Sequence, residues 1–303
     1  MPTGSNRRAR PGAWGGYVLV AAAATSWGAQ AVVAKLLLTS GFDPSSLVST
    51  RTALAGLILV ATLAGLKPEL LRVTGRDLGH LAVLGTVGMA LSQYTYYFAL
   101  TRIPVATVLL VAYTSPLLVL AATVVIYGEP LRRRDLAAAA VTLGGAGLVV
   151  RAYEPALLRP SAAGLLASAF CAAGFAFYSL WAKRVSPRVS PWTTLTYSLA
   201  TAAAFWLPLA PPWTLLLRPH PPAAWGGIAV VVLFGTLVPF GLYLAGLARI
   251  SAAHASVTAT LEPVVAAVVA FLVLGEGLEW LQLLGGGLIL AGIALLHARA
   301  KTP

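Results

Sequence analysis

What most restricts this chain is a succession of apolar runs, each close to the roughly 20 residues that cross a bilayer, with short polar links between them. The runs fall at 14–34, 46–66, 78–100, 104–127, 135–151, 161–182, 191–210, 223–248, 252–274 and 279–297. The links carry Pro, Gly, Asp and Arg, as at Asp43-Pro44, Arg132-Arg133-Arg134 and Pro219-His220-Pro221-Pro222. Ten such runs use up nearly all of the 303 residues and leave no room for a large soluble domain. With 58% hydrophobic and 10% charged residues, against about 25% charged in an ordinary soluble domain, polar side chains are too few to cover a surface in water. The expected fold class is an all-α integral membrane protein with ten transmembrane helices.

Lys and Arg supply the orientation. One side of the alternation receives Arg7, Arg8 and Arg10, then Lys67, Arg72 and Arg76, then Arg132 to Arg134, Lys183, Arg184 and Arg188, Arg249, Arg299 and Lys301. The other receives only Lys35, Arg102, Arg151, Arg159 and Arg218. Fifteen against five is a positive-inside signal and predicts that both termini are cytoplasmic. It also explains the formal net charge of +12 without a nucleic-acid partner, because the charge sits in links. Arg7, Arg8 and Arg10 ahead of Ala21 to Ala24 imitate a cleavable leader, but the apolar run continues to Val33, too long for a signal core. The single cysteine, Cys171, is read as a small packing residue.

The two halves repeat. Ala99–Leu131 matches Gly246–Leu278 at a constant offset of 147, in which Arg102, Pro116 and Glu129 meet Arg249, Pro263 and Glu276. Ala34-Lys35 and Ala182-Lys183 align at 148. Apolar helices resemble one another by chance, so the weight falls on the rare residues in register. The division expected is 1–152 and 153–303. Five spans per repeat is an odd number, so the second copy enters from the opposite face. Inverted repeats of this kind place a substrate site near the midplane of many secondary transporters.

Glu262 is the most informative residue, about eleven positions into the ninth run. A charge at mid-membrane costs about 2.5–3.5 kcal/mol on insertion scales, so Glu262 is expected to face the interior. Two readings stay open: a protonated carboxyl that bonds a neighbouring helix, or a direct role in substrate binding or proton coupling. His254, Thr258 and Glu262 share one helical stripe, and Thr107, Val111 and Ser115 are their repeat equivalents. Pro116 and Pro263 fall mid-span and predict kinks with a freed carbonyl. Gly235, Pro239 and Gly241 mark a further flexible segment in the eighth run. Trp27 and Gln30 correspond to Phe175 and Tyr178, and Tyr243 to Tyr96. Gln93, Tyr94, Tyr96 and Tyr97 cluster in the third run, and Tyr113 lies in the fourth. Trp27, Gln30, Tyr97, Tyr113, Tyr178 and Tyr243 are candidate lining residues. Trp14 and Trp225 read as interface anchors. Lys35, Arg51 and Arg102 are expected to snorkel to headgroups, and Glu129 and Glu276 to cap or pair locally where their spans end.

The pattern resembles the drug/metabolite transporter superfamily, EamA-type family. The residues that carry it are Trp27-Gly28 with Lys35, Ile103-Pro104-Val105-Ala106 leading to Ser115-Pro116, and Gly128-Glu129. In the second half they are Gly235-Thr236 to Tyr243, Ala252-Ala253 leading to Leu261-Glu262-Pro263, and Gly275-Glu276. The resemblance implies a central cavity lined by the first, third, fourth, sixth, eighth and ninth spans. It also implies export of amino acids, metabolites or drugs across a bacterial-type cytoplasmic (inner) membrane, in some members coupled to protons. By it, Gln30, Tyr97, Tyr178, His254 and Glu262 take cavity roles. Phe175-Ala176 stands where the first half has Trp27-Gly28, a departure from cavity symmetry.

The expected function is secondary export of small organic solutes, amino acids or related metabolites, by alternating access. The bilayer is a partner and protons are a candidate coupling ion, with Glu262 and His254 as coupling groups and Pro116, Pro239 and Pro263 as hinges. Competing readings are a multidrug exporter of lipophilic cations with Glu262 as counter-charge, and a non-transporting scaffold or intramembrane enzyme. No nucleophile motif, metal cluster or P-loop is present in the sequence, so no enzyme, cofactor or metal is expected. The oligomeric state is left open.

Overall fold

The computed structural model describes residues 13–128, 132–155, 161–275 and 277–297, and no strand occurs among them. Arg7, Arg8, Arg10, Glu129, Arg159, Glu276, Arg299 and Lys301 lie outside the described residues. Helix α1 spans Ala13–Thr39 and α2 Pro44–Leu66; α3 Gly75–Val83 and α4 Ser92–Leu100 flank a π-helical segment at Leu84–Leu91. Then come α5 Val105–Ala112, α6 Ser115–Tyr127 and α7 Arg133–Val149. The second half holds α8 Ala162–Val185, α9 Pro191–Trp206 and the short α10 Trp213–Leu216. In it α11 Pro222–Val232 and α12 Val238–Leu247 flank a π segment at Leu233–Leu237, followed by α13 Ala252–Ala259, α14 Glu262–Leu274 and α15 Trp280–His297. Among the described residues, six helical stretches are long and apolar enough to cross a membrane: Trp14–Thr39, Pro44–Leu66, Thr107–Ile126, Ala162–Val185, Pro222–Leu247 and Ala252–Val273. Helices α7, with 17 residues, and α9, with 16, are shorter than a full span.

Local chemistry sets the ends. Asp43 caps α2 by accepting from the Ser46 N–H at 2.9 Å, with Pro44 following it in the first turn. Ser190 and Pro191 do the same for α9, 147 residues later. Pro at the first helical position loses no helical bond, because that N–H has no partner there. Gly128 and Gly275 close α6 and α14 with φ of 64° and 67°, a left-handed cap that glycine adopts without a Cβ penalty. The Gly of each Gly-Glu pair therefore stops a helix.

The prolines correct an expectation. Pro116 and Pro263 do not kink the interior of a continuous helix. They stand in the first turns of α6 and α14, after two-residue joints at 113–114 and 260–261. Pro239 likewise sits in the first turn of α12, after a π segment. A proline has no N–H to give the carbonyl of Phe234, five residues back, and Ser26 on α1 donates to that carbonyl instead at 2.7 Å. A carbonyl freed by a proline is thus re-satisfied from a neighbouring helix, as an apolar setting demands.

Both halves are assembled through the same contacts. A Cβ built on Gly16 would meet Ile250 Cγ2 at 2.7 Å and Arg249 Cβ at 3.0 Å. On Gly164 it would meet Ile103 Cγ2 at 2.5 Å and Arg102 Cβ at 3.2 Å. Gly145 abuts the Gly285 carbonyl and Ile289, and Gly292 abuts Ala138 and Thr142, so α7 and α15 meet in antiparallel register. The first helix of each half packs on the third and fourth helical stretches of the other: α1 on α11 to α14, α8 on α4 to α6. Directions follow from residue pairs. Gly16 lies against Gly246 on α12 and Leu37 against Gly227 on α11, so α1 is antiparallel to the continuous stretch from α11 to α12. Ser179 bonds Tyr243 and Lys183 bonds Leu247, so α12 and α8 are parallel. Helix α8 therefore runs opposite to α1.

Candidate functional site

Between the halves lies a cavity of about 770 Å³, counting space open to solvent, with walls from α1, α2, α4 to α6, α8, α12 to α14 and the Leu233–Leu237 segment. Of the residues expected to line it, Trp27, Gln30, Tyr97, Tyr113 and Glu262 do, and Tyr96, Gln93, Phe175, Gly235 and Cys171 join them. Tyr178, Tyr243, His254 and Thr258 lie outside its wall. Tyr178 is buried over Gly88, and Tyr243 bonds Ser179 at 2.6 Å. Thr258 donates to its own helix, at the His254 carbonyl. His254 accepts or donates at Nδ1 with the Tyr17 hydroxyl at 2.5 Å, and its Nε2 lies 3.8 Å from Asp135.

Arg51 corrects a second expectation. It does not snorkel: it is 2% exposed and lines the cavity from α2. Its guanidinium donates to the Tyr97 hydroxyl at 2.5 Å and to Gln93 Oε1 at 3.0 Å, and lies 5.4 Å from the centre of the Tyr97 ring. Its Nε has no partner. A buried cation costs several kcal/mol unless a counter-charge is near, yet among the described residues no carboxylate reaches it. Gln93 and Tyr97 stand four residues apart on α4, and that polar stripe was the signal in the sequence for a buried donor. Lys35 and Arg102 are exposed, Arg102 lying 4.9 Å over the Phe98 ring.

Glu262 opens α14, where the unsatisfied N–H groups of a helix start favour negative charge. Its backbone is clamped: a Cβ on Gly28 would stand 2.5 Å from the Glu262 carbonyl. Among the described residues its side chain has no ion pair or hydrogen bond, although it faces the same cavity as Arg51. The cavity thus holds a cation and a carboxyl that do not neutralise each other.

Two neutral groups are also left open. Gln30 donates from Nε2 to the Trp27 carbonyl at 3.3 Å. That carbonyl accepts only a donor, which fixes the amide orientation and turns Oε1, buried and unpartnered, toward Gly235. The Tyr113 hydroxyl is buried without a partner as well. Trp27 meets Phe240, Tyr243 and Phe175 at ring separations of 5.1, 5.6 and 6.1 Å, an aromatic floor beside the polar groups.

The ends of the molecule differ. At the end marked by Tyr17, α13 packs on α6 and on α8, and α12 packs on α8. At the end marked by Thr39, the corresponding pairs α5 with α14, α5 with α1, and α4 with α1 make no more than marginal contact. The helices around the cavity are packed together at the Tyr17 end and stand apart at the Thr39 end.

Comparison with known proteins agrees with this architecture. The EamA-like transporter family matches residues 14–151 and again 162–298. A protein of Streptantibioticus cattleyicolor named as a probable terminal-alkyne amino-acid exporter is 28% identical over 259 residues, covering 86% of this chain and 86% of its own. An uncharacterized inner membrane transporter of Salmonella typhimurium is 28% identical over 306 residues, covering 94% of this chain and 96% of its own. A solved crystal structure superposes with a TM-score of 0.78 at 22% identity, over 95% of this chain and 98% of that one, and the likeness concerns the fold.

Proposed function

The chain belongs to the EamA-like transporter family, a family of multi-pass membrane transporters, and from that premise we propose that it exports α-amino acids or related zwitterions across the cytoplasmic membrane by alternating access. The reading takes the helical stretches as ten crossings in two inverted repeats, with both termini cytoplasmic, so that the Thr39 end faces outward. One observation carries it: Arg51 and Glu262 face a single cavity without pairing. A zwitterion satisfies both, its carboxylate on the guanidinium and its ammonium on the carboxyl, by charge-assisted hydrogen bonds. The open acceptors at Gln30 Oε1 and Tyr113 suit the remaining ammonium protons, and the aromatic floor suits an apolar side chain. The named function of the Streptantibioticus relative points the same way.

A lipophilic cation would meet Glu262 but also the buried Arg51, which repels it. The experiment is counterflow in liposomes: preloaded unlabelled amino acids should drive accumulation of labelled amino acid. Accumulation of a cationic dye, uncompeted by amino acids, hands the cavity to the cation reading. Silence toward both leaves the scaffold. Glu262 and His254 are the candidate proton carriers. Glu262→Gln is expected to abolish flux driven by a pH gradient and to spare part of the exchange; unchanged flux removes Glu262 from the site.

A further inference from the structure

Two lysines occupy equivalent places in the repeats and are used differently. Lys183, near the end of α8, donates to the carbonyls of Leu247 and Ala248 at 2.6 and 3.3 Å. These are the last residue and the C-cap of α12. Carbonyls at a helix C-terminus lack intrahelical donors and carry partial negative charge, so a lysine there both bonds and neutralises. Lys35 stands 148 residues earlier, near the end of α1. The residues equivalent to Leu247 and Ala248, at the 147 offset, are Leu100 and Thr101, which are likewise the last residue and the C-cap of α4. Yet Lys35 is exposed, its ammonium has no hydrogen bond among the described residues, and neither carbonyl receives a donor from it. The helices follow the same rule: α8 packs against α12, while α1 and α4 barely touch.

We propose that Lys35 is the latch of the state not seen here: when the outer mouth closes, its ammonium docks on the Leu100 and Thr101 carbonyls, as Lys183 releases those of Leu247 and Ala248. The inference rests on the inverted-repeat carrier reading but not on the substrate. The repeats have the same scaffold contacts, so exchanging their conformations yields a cavity sealed at the Thr39 end and open at the Tyr17 end. In that exchange the mobile four-carbon stem of lysine reaches a preformed acceptor pair. Each latch stabilises one state only, and a contact that differs between two states shifts their populations.

The test needs no transported solute. Ala112, on the cavity wall, is changed to cysteine in a Cys171→Ser background. Its reaction with a membrane-impermeant maleimide is timed from outside in right-side-out vesicles and from the cytoplasmic face in inverted ones. Lys35→Met should raise the outside-to-inside rate ratio by about tenfold, and Lys183→Met should lower it by about tenfold, the order expected for a lost charged hydrogen bond. Lys35→Arg, which keeps the donors, should stay near the parent ratio. Movement of the ratio in the same direction by both methionine variants, or no movement with Lys35→Met, overturns the latch. Lys35 is exposed, so this variant alone decides the matter if Lys183→Met does not fold. A shifted ratio in a protein that fails amino-acid counterflow would sink the substrate reading and leave the latch standing.

Discussion

Where Gly16 meets Ile250 and Arg249, Gly164 meets Ile103 and Arg102; where Tyr178 lies on Gly88, Gln30 lies on Gly235. The two repeats keep these contacts residue for residue, and both interrupt the third helical stretch with a π segment. At the cavity they diverge. Arg51 has Ser198 as its equivalent, and Glu262 has Ser115, each 147 residues away. Close packing tolerates few changes at a glycine contact, so the scaffold stays symmetric. A cavity wall is free to vary, and there each repeat has placed one charge where the other holds a serine. The outcome is a cavity with a cationic side and an acidic side, which suits a solute whose own ends differ.

That comparison can be broken experimentally, and the largest effect is expected at Arg51. Arg51→Met should lower amino-acid counterflow by about a hundredfold, the order of one lost charge-assisted contact. Its melting temperature should hold or rise, since replacing a buried charge by an apolar side chain is often neutral or stabilising. Loss of both flux and stability would make Arg51 a structural residue. Next is the exchange Ser115→Glu with Glu262→Ser, which moves the carboxyl to the equivalent point of the other repeat. Counterflow should fall at least tenfold, the scale of a single charged hydrogen bond, with folding retained; full activity would show that the asymmetry has no function.

Gly16→Leu and Gly164→Leu test the symmetric part. Each should destabilise by about 1–3 kcal/mol, the usual cost of overpacking, and by similar amounts, read as thermal unfolding in detergent. A large cost at one position only would deny equivalence of the contacts. The smallest effect concerns a tether that lacks an image. Asp77, in the first turn of α3, and Arg188, in the link after α8, pair at 3.1 Å at the Tyr17 end, whereas the positions equivalent to them are Ala224 and Ser40. The hydroxyl of Thr74 first, and then Arg188, hold the Asp77 carboxyl below the usual carboxylate range. A depressed carboxyl contributes stability above its unfolded value of about 3.9 and loses it as pH falls through the lower folded value. Asp77→Asn should therefore lower the melting temperature slightly at neutral pH and leave it unchanged in strong acid. A difference that persists in acid would assign the effect to helix capping.

Much of the site was visible in the residues. Glu262 stood out because a carboxyl in an apolar run has few tolerable surroundings, and Trp27, Gln30, Tyr97 and Tyr113 were drawn from the same logic. Arg51 was misread because a long cation near a span end ordinarily reaches the headgroups. Only the approach of Gln93 and Tyr97 from α4 turns it inward. Tyr178, Tyr243, His254 and Thr258 are polar and interior, but the first three contact neighbouring helices in this state and Thr258 bonds its own helix, and spacing along one helix does not tell a cavity from a helix interface.

Hydrophobic runs, basic links and the 147-residue register settled, without any coordinates, that this is a membrane protein of two related halves. The reason is that burial in lipid and charge at the boundary act on each segment by itself. Which side chains share the cavity, that two opposite charges meet there unpaired, and which end is sealed depend on how helices far apart in the chain lie against one another. Those are properties of packing between segments, and only the folded arrangement decides them.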